Sequence, residues 1–174
     1  MKLFLPCLLV IVSFSMPCCG QKDKKETASP FQSLIPEKPT DWVADLEKIF
    51  TPVQVAHLDS IINSHEAQST NEIAIVTLQL DSFKITTPED FNSFSLALFN
   101  QWGIGKKDKQ NGIGILISTN LRQTRIEVGY GLESKLTDEE AEKIINTIIL
   151  PDFKNAAYFT GTLHGLKAIL KEIE

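Results

Sequence analysis

The chain has 174 residues, 43% of them hydrophobic and 22% charged, with a formal net charge of -5, the composition of one ordinary globular domain and not of a fibrous or disordered chain. Its net acidic charge argues against a nucleic-acid binder, because that affinity rests mainly on clustered Lys and Arg neutralising phosphates. Cys7, Cys18 and Cys19 are the only cysteines, so everything after them lacks a thiol for a disulfide, a zinc-thiolate site or a nucleophile.

Met1-Lys2 and the apolar run Leu3 to Phe14 form the charged start and short hydrophobic region of a secretory signal, too short to span a bilayer as a helix. Ser15-Met16-Pro17-Cys18-Cys19-Gly20 follows, with small residues and cysteines at the point of cleavage. This resembles a bacterial lipoprotein signal over residues 1–20. Lipidation of Cys19 or Cys18 is expected, with plain cleavage after Gly20 as the alternative. One lipid-bearing cysteine would anchor an exported domain to a membrane without making it span one. Residues 21–40, rich in Lys, Glu, Ser and Pro, read as a disordered spacer, and residues 41–174 as the folded domain.

Thr51-Pro52-Val53-Gln54 opens a helix: threonine caps, proline suits the first turn and glutamine completes a capping box. Val55, Leu58, Ile62 and His65 make one face of it. Glu72 to Leu80 is a β-branched, mostly apolar strand. Thr87-Pro88-Glu89-Asp90 repeats the helix start, and Phe91, Phe94, Leu98 and Trp102 recur at helical spacing until Gly103. Gly112 to Ile117 is a second apolar strand, and Gln123 to Val128 a third whose alternation suits a half-exposed edge. Thr137 with Glu140 caps a helix carrying Ala141, Ile144, Ile145 and Ile148 that Pro151 should end. Leu163, Leu166, Leu170 and Ile173 mark a last helix.

This order predicts an α/β fold, a three-layer α/β/α sandwich with about four helices and a small mixed sheet. A right-handed crossover makes the first two strands parallel and a hairpin returns the third. If the hairpin turns near Asn120, Gly112 lies opposite about Gly129. The loop before one strand then meets the loop after the next, which brings Asp108 and Asn111 near Tyr130 and Glu133. Carboxylate and amide oxygens from separate loops are the ligand set of a hard cation. Alternatively, Gly131 merely shapes the turn and Glu133 satisfies loop amides. His57, His65 and His164 are too scattered for a metal motif.

Trp102-Gly103-Ile104-Gly105, Asn111-Gly112 entering an apolar strand, Arg125 to Glu133 (RIEVGYGLE) and Leu136-Thr137-Asp138 resemble the TPM domain family. Val43-Ala44-Asp45, Ile149 to Phe153 and Gly161 also fit, so the resemblance covers about Asp41 to Glu174. That family includes bacterial envelope proteins and thylakoid-lumen proteins tied to photosystem II repair; some members show acid phosphatase activity and some bind calcium or magnesium. The resemblance implies a periplasmic or cell-envelope protein with a Ca or Mg site at Asp45, Asn111 and Glu133, with Asp108 and Asp138 as neighbours. Gln110 stands where many members have Asp, and Lys48 where Gly is usual.

The expected function is a divalent-cation-binding module that contacts an envelope protein. One alternative is a metal-assisted acid phosphatase with Asp45 or Glu133 accepting a proton from water, although no Cys-x5-Arg, Asp-x-Asp loop or paired histidines are present. The other is a structural adaptor without metal.

Overall fold

The structure is a computed structural model that describes residues 30–80 and 84–174. The leader and much of the spacer lie outside the described residues. Four strands form an open sheet in the spatial order of the chain: β1 (Val43–Asp45), β2 (Glu72–Thr77), β3 (Gly112–Ser118) and β4 (Gln123–Val128). The first three run parallel, and β4 returns antiparallel to β3. Val43-Ala44-Asp45 is thus a strand and not only a motif, which makes four strands where the sequence predicts three. Three residues are too few for periodicity to reveal.

Helix α1 (Pro52–Ser69) joins β1 to β2, and α2 (Pro88–Trp102) joins β2 to β3. Thr51, Thr87 and Thr137 each complete a capping box, so all three predicted helix starts hold. Leu58 and Ile62 of α1 pack with Val43, Ile73, Ile75 and Ile115 on one face of the sheet. Phe91, Phe94, Leu98 and Trp102 of α2 pack with Ala44, Ala74, Val76 and Leu116 on the other. Since three parallel strands stand in sequential order with their crossovers on opposite faces, the two crossovers have opposite hands. One of them departs from the usual right-handed rule.

Helix α3 (Asp138–Ile144) continues through a π-helical turn (Ile145–Ile149) into α4 (Leu150–Phe153), and α5 (Tyr158–Ile173) closes the face that α1 covers. Pro151 therefore does not end the helix. The widened turn immediately before it shifts the hydrogen-bond pattern at the position where proline lacks a donor and its ring crowds the preceding turn.

The spacer also needs correction, because residues 30–40 lie on the domain. Phe31 is buried edge-on against Phe94 at 6.0 Å, and Trp102 donates its indole N–H to Pro36 O at 2.9 Å. Phe31, Leu34 and Ile35 supply apolar cover for the α2 face, which a composition dominated by Lys, Glu and Ser conceals.

Candidate functional site

The hairpin register fixes which rim each candidate occupies. Ile113 pairs with Val128, and Gly129 donates to Gly112 O at 2.8 Å, so the loop before β3 does meet the loop after β4. Gly131 N–H donates to Gln110 O at 3.0 Å. A Cβ on Gly129 would stand 2.3 Å from Gln110 O, and one on Gly131 2.0 Å from Lys109 O. The glycines therefore serve the close approach of one backbone to another.

At this rim Asn111 is buried at 4% exposure. Its Oδ1 accepts from Lys106 N–H at 2.9 Å, and its Nδ2 donates to Thr70 O at 2.9 Å and Asn71 Oδ1 at 3.1 Å. Glu72 accepts from the Lys106 ammonium and from Gly105 N–H. Burial works to raise the Glu72 carboxyl, but these donors outweigh it and hold the group below its ordinary value. Asn111 is thus a satisfied structural amide. Asp108 and Glu133 are exposed on the surrounding loops. Asp138, 84% exposed at its side chain, lies 3.7 Å from Arg125.

Asp45 stands at the other end of the sheet. It pairs with Thr77, at the far end of β2 from Glu72, while Glu72 pairs with Gly112. At about 3.3 Å of rise per residue, the two rims are roughly 16 Å apart. Both Asp45 oxygens are engaged: Oδ1 accepts from Ile49 N–H at 3.1 Å and the Thr77 hydroxyl at 2.5 Å, and Oδ2 from Phe50 N–H at 2.8 Å. The structure does not bring Asp45 together with Asn111 and Glu133. Among the described residues no group of three or more His, Cys, Asp and Glu side chains is placed to hold a metal ion. The oxygens assigned to calcium or magnesium therefore do not fit one preformed coordination shell.

The carboxyl ends of the parallel strands carry a different constellation. Glu47 accepts from the Thr119 backbone N–H at 3.0 Å and from its hydroxyl. Beside Thr119 opens a groove of about 490 Å³ lined by Arg122, Thr124, Leu150, Phe153, Lys154 and Tyr158, among others. A second hollow of about 330 Å³ shares Arg122, Gln123, Thr124 and Leu150 and continues toward α2 and Glu142. Neither Arg122 nor Lys154 forms an ion pair with a described residue. Arg122 holds a left-handed backbone, φ 53°, in the β3–β4 turn.

Sequence reasoning missed Arg122, Lys154 and Glu47. The signal available to it was positional: ligands of open α/β sheets collect outside the carboxyl ends of parallel strands, and the loop before β3 lies at the amino end.

The architecture is an open α/β/α sheet with a groove at that rim lined by Arg122 and Lys154. The TPM domain model matches residues 43–172, so the chain belongs to the TPM domain family. Among solved structures, the N-terminal domain of a P. gingivalis protein is similar at 27% identity and TM-score 0.65, covering 76% of this chain and 82% of that one. The N-terminal domain of a Corynebacterium glutamicum protein matches at 16% identity and TM-score 0.58 over 80% and 84% of the two chains. The BA42 protein of the psychrophilic bacterium Bizionia argentinensis matches at 16% and 0.60 over 74% and 83%. The last two share the fold. A search of curated proteins found no match.

Proposed function

We propose that this TPM-domain chain is exported, held at a membrane by a lipidated Cys19 or Cys18, and works at the cell envelope as a binding module. Its contact surface is the groove at the carboxyl ends of the parallel strands. The leader-like residues 1–20 support the export and the tether. The observation that carries the binding role is the pair of cations, Arg122 and Lys154, standing unpaired beside Leu150, Phe153 and Tyr158. Both cations are exposed, and they share one groove with that apolar wall. Unmatched cations on an apolar wall favour an anionic ligand with an apolar portion. Because the donors at Asp45, Asn111 and Glu133 do not converge, no divalent cation enters this reading.

The test immobilises the full chain and an Arg122→Gly/Lys154→Ala variant, and compares the envelope proteins each retains, with and without chelator. A partner held by the wild type, lost from the variant and indifferent to chelator supports the reading. Equal retention by both proteins contradicts it.

A second reading, an acid phosphatase, draws on Glu47, whose carboxylate touches the groove wall at Thr119 near the same two cations. Hydrolysis of para-nitrophenyl phosphate that falls in both Glu47→Gln and Arg122→Gly would support it. Turnover unchanged in both would reject it.

A further inference from the structure

The groove runs along the free edge of a strand. Gly129 and Gly112 form a hydrogen-bonded antiparallel pair, and pairing alternates along such a ladder. Glu127, Arg125 and Gln123 therefore bond to β3, while Thr124, Ile126 and Val128 turn their N–H and C=O groups outward. Ile117 confirms the phase, since its carbonyl accepts from Leu78 N–H on the β2 side at 3.0 Å. Among the described residues no loop or helix hydrogen-bonds to the outward groups of Thr124, Ile126 or Val128. Ile126 is covered, at 1% exposure, but Thr124 lines both hollows.

An unpaired edge recruits an extended chain, whose backbone supplies the missing partners and whose side chains alternate between the two faces. Two hollows meet at Thr124: one lies toward α4 and α5, the other toward α2. The first holds Arg122 and Lys154 with no carboxylate among its described lining residues. The second holds Arg125, already paired with Glu127, and Glu142.

Resting on the binding-module reading above, we propose that the Arg122–Arg125 end of β4 takes an extended acidic peptide segment of a partner protein. The segment adds a short strand to Thr124, with a carboxylate placed between Arg122 and Lys154. That carboxylate belongs either to a side chain or to a chain terminus.

The test titrates the isotope-labelled full chain with acetyl-Val-Glu-Val-Glu-Val, carrying a free or an amidated C-terminus, and with the peptide bearing Lys in place of Glu. Saturable shifts centred on Gln123–Arg125 are expected, with the Lys peptide at least tenfold weaker. Equal binding of both acidic forms assigns the carboxylate to a side chain, and a requirement for the free end assigns it to a terminus. Thr124→Pro deletes an outward N–H that β3 does not use, and proline is tolerated where an edge N–H faces away from the sheet. It should weaken the acidic peptide at least tenfold while β2 and β3 amide signals stay in place. Equal binding of the Lys peptide, or undiminished binding to a folded Thr124→Pro protein, overturns strand addition. If no peptide binds although Arg122→Gly/Lys154→Ala still loses the envelope partner, strand addition fails and the binding-module reading stands. If that variant keeps the partner, the wider reading fails too.

Discussion

The Thr77 hydroxyl donates to Asp45 Oδ1 across 2.5 Å and itself accepts from Glu47 N–H at 3.1 Å, locking the end of β1 to the end of β2. With Ile49 and Phe50 N–H also on the carboxylate, Asp45 fixes the turn that leads into α1. Hydrogen bonds to a charged group contribute about 1.5–3 kcal/mol each when buried, and these are part-buried and shared. Asp45→Ala is expected to cost about 2 kcal/mol, and Asp45→Asn less. The midpoint of urea unfolding checks this; an unchanged midpoint would leave Asp45 free for another role.

Gly131 tests the contact between the two loops at the opposite rim. Its Cβ would meet Lys109 O at 2.0 Å, and two backbones cannot part without breaking the Gly131-to-Gln110 hydrogen bond. Gly131→Ala should therefore destabilise the fold by about 2 kcal/mol. Loss of amide protection from hydrogen exchange at Gly131 would locate the damage, whereas wild-type protection there would contradict the packing.

Two carboxylates should shape the pH dependence of stability in opposite senses. Glu72 is held below its ordinary 4.5: burial opposes, but Lys106 and Gly105 prevail. Its folded form binds fewer protons, so its contribution is present above pH 4.5 and is lost as pH falls through the lowered value. Glu127 is raised above 4.5 by burial, which Arg125 offsets only in part. Its contribution is fully present below 4.5 and is lost as pH rises through the raised value. In a pH series of unfolding midpoints, Glu72→Gln should flatten the acid limb and Glu127→Gln the fall on the other side. Parallel profiles for all three proteins would contradict both assignments.

Arg122 holds φ 53°, a conformation that strains a residue with a Cβ by about 1–2 kcal/mol and glycine hardly at all. A cation kept at a strained turn without an ion-pair partner is expected to cost the fold. Arg122→Gly should leave thermal stability unchanged or raise it by up to about 1 kcal/mol, read by calorimetry. A drop of that size would mean that the side chain supports the fold.

Local chemistry that repeats at fixed spacing was legible in the sequence. The Thr-capped starts of α1, α2 and α3, the aromatic stripe Phe91-Phe94-Leu98-Trp102 and the β3–β4 hairpin all follow from periodicity and capping. β1 was not legible, because three residues cannot show a period. The π turn before Pro151 was hidden because proline reads as a stop. The site was half legible: Asn111 and the loop holding Glu133 do share a rim. Asp45 does not join them, since the parallel pairing of β1 with β2 sends its carboxyl end to the opposite rim, and pairing partners are not written in local sequence. Arg122 and Lys154 are separated by 32 positions and line one groove only because the helix after β4 folds back over the hairpin turn.

Residue-resolved spectra of the full chain, recorded while the acidic pentapeptide is added, bear most directly on the groove as the working surface. Saturable shifts at Thr119–Arg125 and Lys154–Tyr158, abolished by Arg122→Gly/Lys154→Ala, are the predicted result. Shifts gathered instead around Asp108–Asn111 and Gly129–Glu133, and indifferent to those two substitutions, would contradict it.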